Sequence, residues 1–446
     1  MVEPLEAWID AQYRISAQGL LQSVSCGLTK TRRGFSQRVT ARAGSVVASP
    51  VLADYDPEPD YFFHWFRDSA LVIDALRLLR GEAHIGRDVA RDFFDFLDFS
   101  LALNGVDGAS LVTSGAWRTA VLPPFQQFLR TDADLSAVRG AAVVADTRVN
   151  PDATLDISNW ARPQYDGAAL RALTLLRWLR GELPDAARAA AETLLRSDLA
   201  LIQARGRDAC FDIWEEEKGF HYYTLRVAAA ALLDGAHWLQ GREEPDSAAP
   251  FKHSAEQILA RLDGYWLESA GHYRSRVLEN GQPSAKELDI AVILAALHSD
   301  ARGESHSVFD PRMHATLEKL EQLFDAEYPL NRRRAAHEAP AMGRYAQDRY
   351  YSGGPYFFST LGAAEFCYRA AAGAAQAQAW MRRGDAFLNT VRKFTPADGE
   401  LPEQFDRDSG LPRSARRLAW SHAAFLSCVH ARRLTGWRTP QSSATP

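Results

Sequence analysis

Along most of this chain apolar residues return every three to four positions, and the two-residue alternation of strands is scarce. The spacing predicts about twelve helices. The first covers residues 5–27, the second 65–81, where Leu71, Ala75, Leu78 and Leu79 share a face, and the third 82–103. After a turn-rich passage Pro163 opens a fourth, which runs to Gly181, and Pro184 opens a fifth; proline suits the first turn because its missing N–H has no partner there. A sixth covers 220–239 and a seventh 250–262. An eighth starts at Ser284, spaced from Glu287 as a capping box ahead of Ile290, Ile293, Leu294 and Leu297. Asp310-Pro311 starts a ninth, Gly353-Gly354 precedes a tenth, Ala375 begins an eleventh, and Ser414 begins a twelfth that ends near Leu434. His272 to Val277, ahead of Asn280-Gly281, reads as one arm of a hairpin. Residues 439–446 read as a disordered tail.

No Pro/Gly/Ser-rich linker breaks this series, so the expectation is one all-α domain over residues 1–438. Twelve helices without a sheet suit a solenoid or a closed toroid of helical hairpins. The polar, aromatic-rich segments fall ahead of every second helix, at 61–68, 160–167, 212–217, 286–289, 344–351 and 403–420. Helices alternating inner and outer around a ring would put all of these at one end.

Composition narrows the partners. Of 446 residues, 46% are hydrophobic and 11% aromatic, and Lys+Arg 51 against Asp+Glu 56 leaves −5. A nucleic-acid binder carries a basic surplus; here the longest basic run is Arg332-Arg333-Arg334. Cys26, Cys210, Cys367 and Cys428 are far apart and without ligand spacing, which argues against zinc and for free thiols in a reducing compartment. Residues 1–12 hold Glu3, Glu6 and Asp10 and no secretory pattern, and no apolar run reaches the roughly 18 residues of a membrane span. The expectation is a soluble, cytoplasmic monomer with neither nucleic acid nor membrane as partner, export of a processed form remaining open.

The densest chemistry lies in Asp212-Ile-Trp-Glu-Glu-Glu217, four carboxylates around one tryptophan. A carboxyl beside an indole and crowded by other carboxylates is disfavoured as the anion, which suits a general acid. The same residues also suit a solvated first turn of a helix, where acids complement the dipole. Glycosidic cleavage needs two such groups, one donating a proton and one activating water or attacking. Glu215 pairs with Glu403, although Glu400 fits equally on composition; Gln404 is positioned to orient Glu403. Tyr61, Trp65, Trp160 and Trp214 offer faces for a sugar, and Arg67-Asp68 and Arg344 with Asp348 offer hydrogen bonds.

These stretches resemble the glucoamylase family, glycoside hydrolase family fifteen, from about Pro4 to Leu434. The matching motifs are Gly44-Ser-Val-Val-Ala-Ser-Pro leading to Asp60-Tyr-Phe-Phe-His-Trp-Phe-Arg-Asp, then Trp160-Ala-Arg-Pro-Gln-Tyr-Asp-Gly and Asp212-Ile-Trp-Glu-Glu. Gly343-Arg-Tyr-Ala-Gln-Asp-Arg-Tyr-Tyr and Glu403-Gln-Phe-Asp with Trp420-Ser421 follow. The resemblance implies an (α/α)6 barrel of six inner and six outer helices and an exo-acting hydrolase that releases β-glucose from non-reducing ends of malto-oligosaccharides with inversion. It implies Glu215 as general acid in an environment set by Trp214, Glu216 and Glu217, with Asp212 structural, and Glu403 as general base. It implies Arg67 and Asp68 on the terminal glucose, Tyr61 near the forming oxocarbenium, Trp160 across the cleavage point, and Arg344 and Asp348 toward the leaving side. It also implies no cofactor and no metal; a calcium held by loop carbonyls would leave no trace in sequence. Phe63, Gln347 and Tyr356 stand where the family often has tyrosine, an acid and tryptophan, which bears on the preferred glucan. No starch-binding module or Ser/Thr-rich linker is visible. Two further readings remain: the same chemistry on isomalto-oligosaccharides, dextran ends or trehalose, and a glucan-binding module without catalysis.

Overall fold

Two kinds of helix alternate along the chain, those buried all round and those with one apolar stripe. The computed structural model describes residues 4–55, 57–82, 85–300, 303, 305–372 and 374–437; the expected tail at 439–446 lies outside them. In chain order the helices are α1 (Leu5–Ser23), α2 (Phe66–Leu78), α3 (Val89–Ala102), the short α4 (Gly108–Ser114), α5 (Ala116–Ala120) and α6 (Asp132–Ser136), then α7 (Asp166–Leu179), α8 (Asp185–Arg205), α9 (Tyr222–Gln240) and α10 (Pro245–Asp263). There follow α11 (Ala291–Ser299), α12 (Pro311–Glu327), α13 (Phe357–Ala371), α14 (Ala377–Phe394) and α15 (Ala419–Leu434). Leaving aside the three short ones, every second helix (α2, α7, α9, α11, α13, α15) buries most of its surface, and the helices between them bury a stripe. A helix apolar on all sides belongs inside other helices, and a striped one belongs at the surface.

The strands are short: β1 (Thr29–Arg32), β2 (Gln37–Thr40), β3 (His64–Trp65), β4 (Arg148–Val149), β5 (Cys210–Phe211), β6 (Lys218–His221), β7 (Trp266–Leu267), β8 (His272–Tyr273), β9 (Arg276–Leu278), β10 (Gln404–Phe405) and β11 (Pro412–Arg413). The expected hairpin arm at 272–277 is divided between β8, which pairs with β7, and β9, which pairs with β6.

Two compact units make up the chain. One comprises Leu21–Trp266 and Arg274–Glu287, the other Met1–Leu20, Leu267–Tyr273 and Leu288–Pro446. In the first, α7 packs against α2, α8 and α9, and α9 against α10. Phe93 of α3 stacks on Trp178 of α7 with ring centroids 4.1 Å apart, and the Trp178 indole donates to the Ile73 carbonyl of α2. In the second, α13 packs against α11, α14 and α15, and Phe358 stacks on Trp420 at 4.1 Å. Among the described residues no helix is long and apolar enough to cross a membrane, and all four cysteines are free thiols.

Four expected helix starts move. The helix expected from residue 82 begins at Val89 as α3, where the Asp88 side chain accepts from the Ala90 and Arg91 amides. Helix α10 begins at Pro245 and carries Pro250 inside it as its sixth residue, where proline forgoes the bond an N–H would make to the Asp246 carbonyl. The capping box at Ser284 does not form, because Ser284 Oγ donates to Glu217 and accepts from the Lys286 amide while α11 begins at Ala291. Ser414 is not a helix start either; its φ of +60° ends the strand segment, and α15 begins at Ala419. Asp310, by contrast, caps α12 as read, accepting from the Arg312 amide.

Candidate active site

In the first unit, three of the polar segments meet at one carboxylate. Asp212–Glu217 is the loop of a hairpin between β5 and β6, not the first turn of a helix. Asp212 shapes it: Oδ1 accepts from the amides of Trp214 and Glu216, both at 3.0 Å, the side-chain turn that aspartate favours. Glu215 is thereby held at φ +65°, a left-handed conformation uncommon for residues with a Cβ and concentrated at functional loops.

The four carboxylates are then separated by their partners. Arg276 of β9 bonds Asp212 and reaches Glu217 Oε2 at 3.1 Å, which also accepts from Ser284 at 2.8 Å. Lys286 Nζ donates to Glu216 Oε2 at 2.5 Å. Glu215 turns the other way. Its Oε1 accepts from Trp65 Nε1 at 2.8 Å and Arg67 Nη2 at 3.2 Å, and its Oε2 accepts from Trp160 Nε1. The indoles that hold Glu215 therefore do so through N–H edges from two distant tryptophans. The expected crowding by neighbouring carboxylates is relieved by Arg276 and Lys286.

Asp212 is buried, which alone would raise its pKa, yet Arg276 and His221 outweigh burial and hold it low. Removing one partner of a buried ion pair strands the other charge, at a cost of about 3–5 kcal/mol. Asp212→Ala is accordingly expected to destabilise the fold by about that much in urea unfolding. Asp212→Asn, which keeps an acceptor for the two loop amides, should lose less; equal losses in the two variants would remove the loop-shaping role.

Behind Glu215, Arg67 in the first turn of α2 is buried among carboxylates. Its Nη2 lies 3.1 Å from Asp68 Oδ2 and its Nη1 3.8 Å from Asp166 Oδ2, while Nη1 donates to Gln164 Oε1 at 3.3 Å. Burial disfavours the Arg67 cation, but Asp68, Glu215 and Asp166 more than compensate and raise its pKa. Burial pushes Asp68 upward against the pull of Arg67, and pushes Asp166 up to about 6. Gln164 Nε2 ties this cluster to the acid loop through the Asp212 carbonyl at 2.7 Å. Tyr61 packs edge-on against Trp65, with centroids 5.3 Å apart; Trp214 is half-buried, and Trp160 is 37% exposed.

The second unit holds the segments at 344–351 and 403–420. Arg344 clamps Asp348 with two bonds of 2.6 Å, and the rings of Tyr345, Tyr350 and Tyr356 lie 5.1–5.4 Å from its guanidinium carbon. The Tyr356 hydroxyl donates to Asp348 at 3.4 Å and accepts from Gln404 Nε2 at 2.7 Å. Burial holds Tyr356 well above the usual phenol range, so this hydroxyl keeps its proton. Gly353 turns the neighbouring loop at φ +56°, where a Cβ would meet the Asp348 carbonyl oxygen at 1.8 Å.

Glu403 is 8% exposed and precedes β10. The β10–β11 register pairs Gln404 with Arg413, so Ser414 lies opposite Glu403 and its Oγ donates to Glu403 Oε2. Gln404, expected to orient Glu403, instead donates to Tyr356 and to the Tyr350 carbonyl. Glu400 is occupied by Arg417 at 3.1 Å and His422 at 3.4 Å, which with its hydrogen bonds lower its pKa against burial. The residues missed in sequence are Ser414 and Arg276. No local spacing marks them, because each partner is remote in the chain or lies across a strand pair. Among the described residues no group of three or more His, Cys, Asp or Glu side chains is placed to hold a metal ion.

The Glycosyl hydrolases family 15 model matches residues 35–382 and 377–430. A probable glucoamylase of Schizosaccharomyces pombe is 26% identical over 96% of this chain and 92% of its own length. A glucoamylase of Neurospora crassa is 27% identical over 88% of this chain, which spans 64% of that protein. The solved glucoamylase of Saccharomycopsis fibuligera superposes with a TM-score of 0.77 at 22% identity, covering 97% of this chain and 96% of that one. The chain is a glycoside hydrolase, all-α, of the (α/α)6 barrel class. It belongs to glycosyl hydrolase family 15.

Proposed function

We propose that the protein is an exo-acting, inverting α-glucan hydrolase that releases β-glucose from the non-reducing ends of malto-oligosaccharides. The observation that carries this reading is the convergence of remote segments on Glu215, a carboxyl on a strained loop that two indole N–H groups and Arg67 orient while the other acids of its loop are paired with Arg276 and Lys286. In this role the Glu215 carboxyl gives its proton to the glycosidic oxygen as the bond to the anomeric carbon breaks. Glu403 takes a proton from the water that attacks that carbon from the opposite face, which inverts it. Ser414 stabilises the anionic form of the base by donating to it. Arg67 and Asp68 hold the hydroxyls of the terminal glucose, Tyr61 and Trp65 lie beside the ring, and Trp160 offers an exposed aromatic face to the leaving sugar. Arg344, Asp348, Trp214 and Glu216 bind sugars beyond the cleaved bond. Membership of a family whose relatives bear the name glucoamylase supports the α-glucan as substrate.

Incubation with maltose, maltotriose, isomaltose and trehalose, followed by proton NMR of the anomeric signals, tests this reading. Glucose should appear first as the β anomer, and faster from the maltose series than from isomaltose or trehalose. The α anomer first would mean retention and overturn the water-activating role of Glu403. Preference for isomaltose or trehalose would reassign the linkage. Retained binding of maltotriose with no glucose released would leave a glucan-binding module.

A further inference from the structure

Arg148 is buried, at 2% exposure, and underlies both rings that hold the Glu215 carboxylate. Its guanidinium carbon is 3.7 Å from the ring centroid of Trp160, 4.7 Å from that of Trp65 and 4.0 Å from that of Phe63. The antiparallel β3–β4 register pairs Trp65 directly with Arg148, so the two side chains leave the strand pair on the same face. Its own orientation is locked. Nε donates to Asp156 Oδ2 at 2.8 Å, Nη2 donates to Ser158 Oγ at 3.2 Å, and Asp156 is fixed in turn by Arg162 at 2.8 Å and by the Ser158 amide at 2.9 Å. Burial disfavours the Asp156 anion, but Arg148 and Arg162 outweigh it and hold the carboxyl well below the usual range, so the anchor stays charged.

We propose that Arg148 is a positioning residue for the Glu215 site: its planar fork, pinned by Asp156, is the shelf that sets the Trp65 and Trp160 rings and aims both indole N–H groups at the carboxylate. The inference rests on the assignment of Glu215 as the acid, but the placement of the rings does not depend on any activity. Trp160 has most need of a shelf, since it is 37% exposed and is pulled toward Glu215 at one edge. Cation–π attraction is strongest where the cation is desolvated, as here. Lysine would not replace it, because a point charge on a flexible stem neither stacks flat nor holds Asp156 and Ser158 at once from a rigid plane.

The test uses the full chain labelled with 15N at tryptophan, with the Trp65 and Trp160 indole resonances assigned from Trp65→Phe and Trp160→Phe. Arg148→Met and Arg148→Lys should both move these two resonances toward their positions in Glu215→Gln and leave that of Trp178, stacked elsewhere on Phe93, in place. In the same variants kcat on maltotriose should fall between about ten- and a hundred-fold, the scale of a small misplacement of a reacting group, with KM changing less. Trp65 and Trp160 resonances unmoved in a folded Arg148→Lys protein would overturn the proposal, whatever the activity. If Arg148→Met fails to fold, Arg148→Lys alone decides. Resonances that move while kcat stays at wild type would retain the shelf and remove its bearing on the reaction; that outcome overturns the proposal as stated. A wild type without hydrolysis would reject the reading of Glu215 but leave the indole measurement standing.

Discussion

Glu215→Gln is expected to fold and to lose at least about 10²-fold in kcat on maltotriose. The amide is nearly the same shape as the carboxyl, and its oxygen can still accept from Trp65 and Arg67 as Oε1 does now. Its nitrogen then faces the Trp160 indole N–H, donor against donor, so the half-exposed ring has to turn aside. The loss in rate has a separate origin, because an amide has no proton to give the departing oxygen. A substrate whose leaving group needs no proton, such as α-glucosyl fluoride, should therefore be cleaved by Glu215→Gln at a rate much nearer to wild type. A folded variant that hydrolyses maltotriose normally would falsify the assignment. One that loses both substrates equally would point to disrupted binding instead.

Glu403→Gln is expected to lose as much on maltotriose, with the opposite discrimination: α-glucosyl fluoride should suffer equally, since water must be activated whichever group departs. The local structure tolerates the change. Glu403 lies at the end of the β10–β11 pair, where its amide donates to the Ala415 carbonyl and its carbonyl accepts from Phe357, and neither bond involves the side chain. The side-chain bond from Ser414 can be kept by the amide oxygen. Glu400→Gln is the control. Its carboxylate already serves Arg417 and the buried His422, so that variant should lose stability more than rate. If Glu400→Gln abolished turnover and Glu403→Gln spared it, the two roles would have to be exchanged.

Much of the helical order was legible. Apolar positions at i, i+3 and i+4 report which faces are covered, and the difference between all-round and striped helices shows directly in Ala/Leu-rich α9 against mixed α10. A local signal is overridden where it meets a remote partner. Ser284 has the spacing of a cap, but Glu217 takes its hydroxyl. Pro250 looks like a helix start, but the helix already runs from Pro245. The segment between α3 and α7 read as turns because helices of five to seven residues are too short to show a period. The residue types of the site are legible as sets, but their pairings are not. Gln404 is adjacent to Glu403 in sequence, but alternation along a strand sends neighbouring side chains to opposite faces and brings Ser414 across instead.

By itself, the sequence determined the alternation of buried and striped helices and the kinds of side chain that precede each buried one, because both are properties of neighbours within a turn or two. Only the tertiary structure decided which of four carboxylates in Asp212–Glu217 is singled out. That choice depends on a left-handed residue at Glu215 and on Arg276, Lys286, Trp65, Trp160 and Arg67, which arrive from other parts of the chain. Charge pairing and hydrogen bonding act through space over about 3 Å, and nothing in the order of residues states which of many possible partners will come that close.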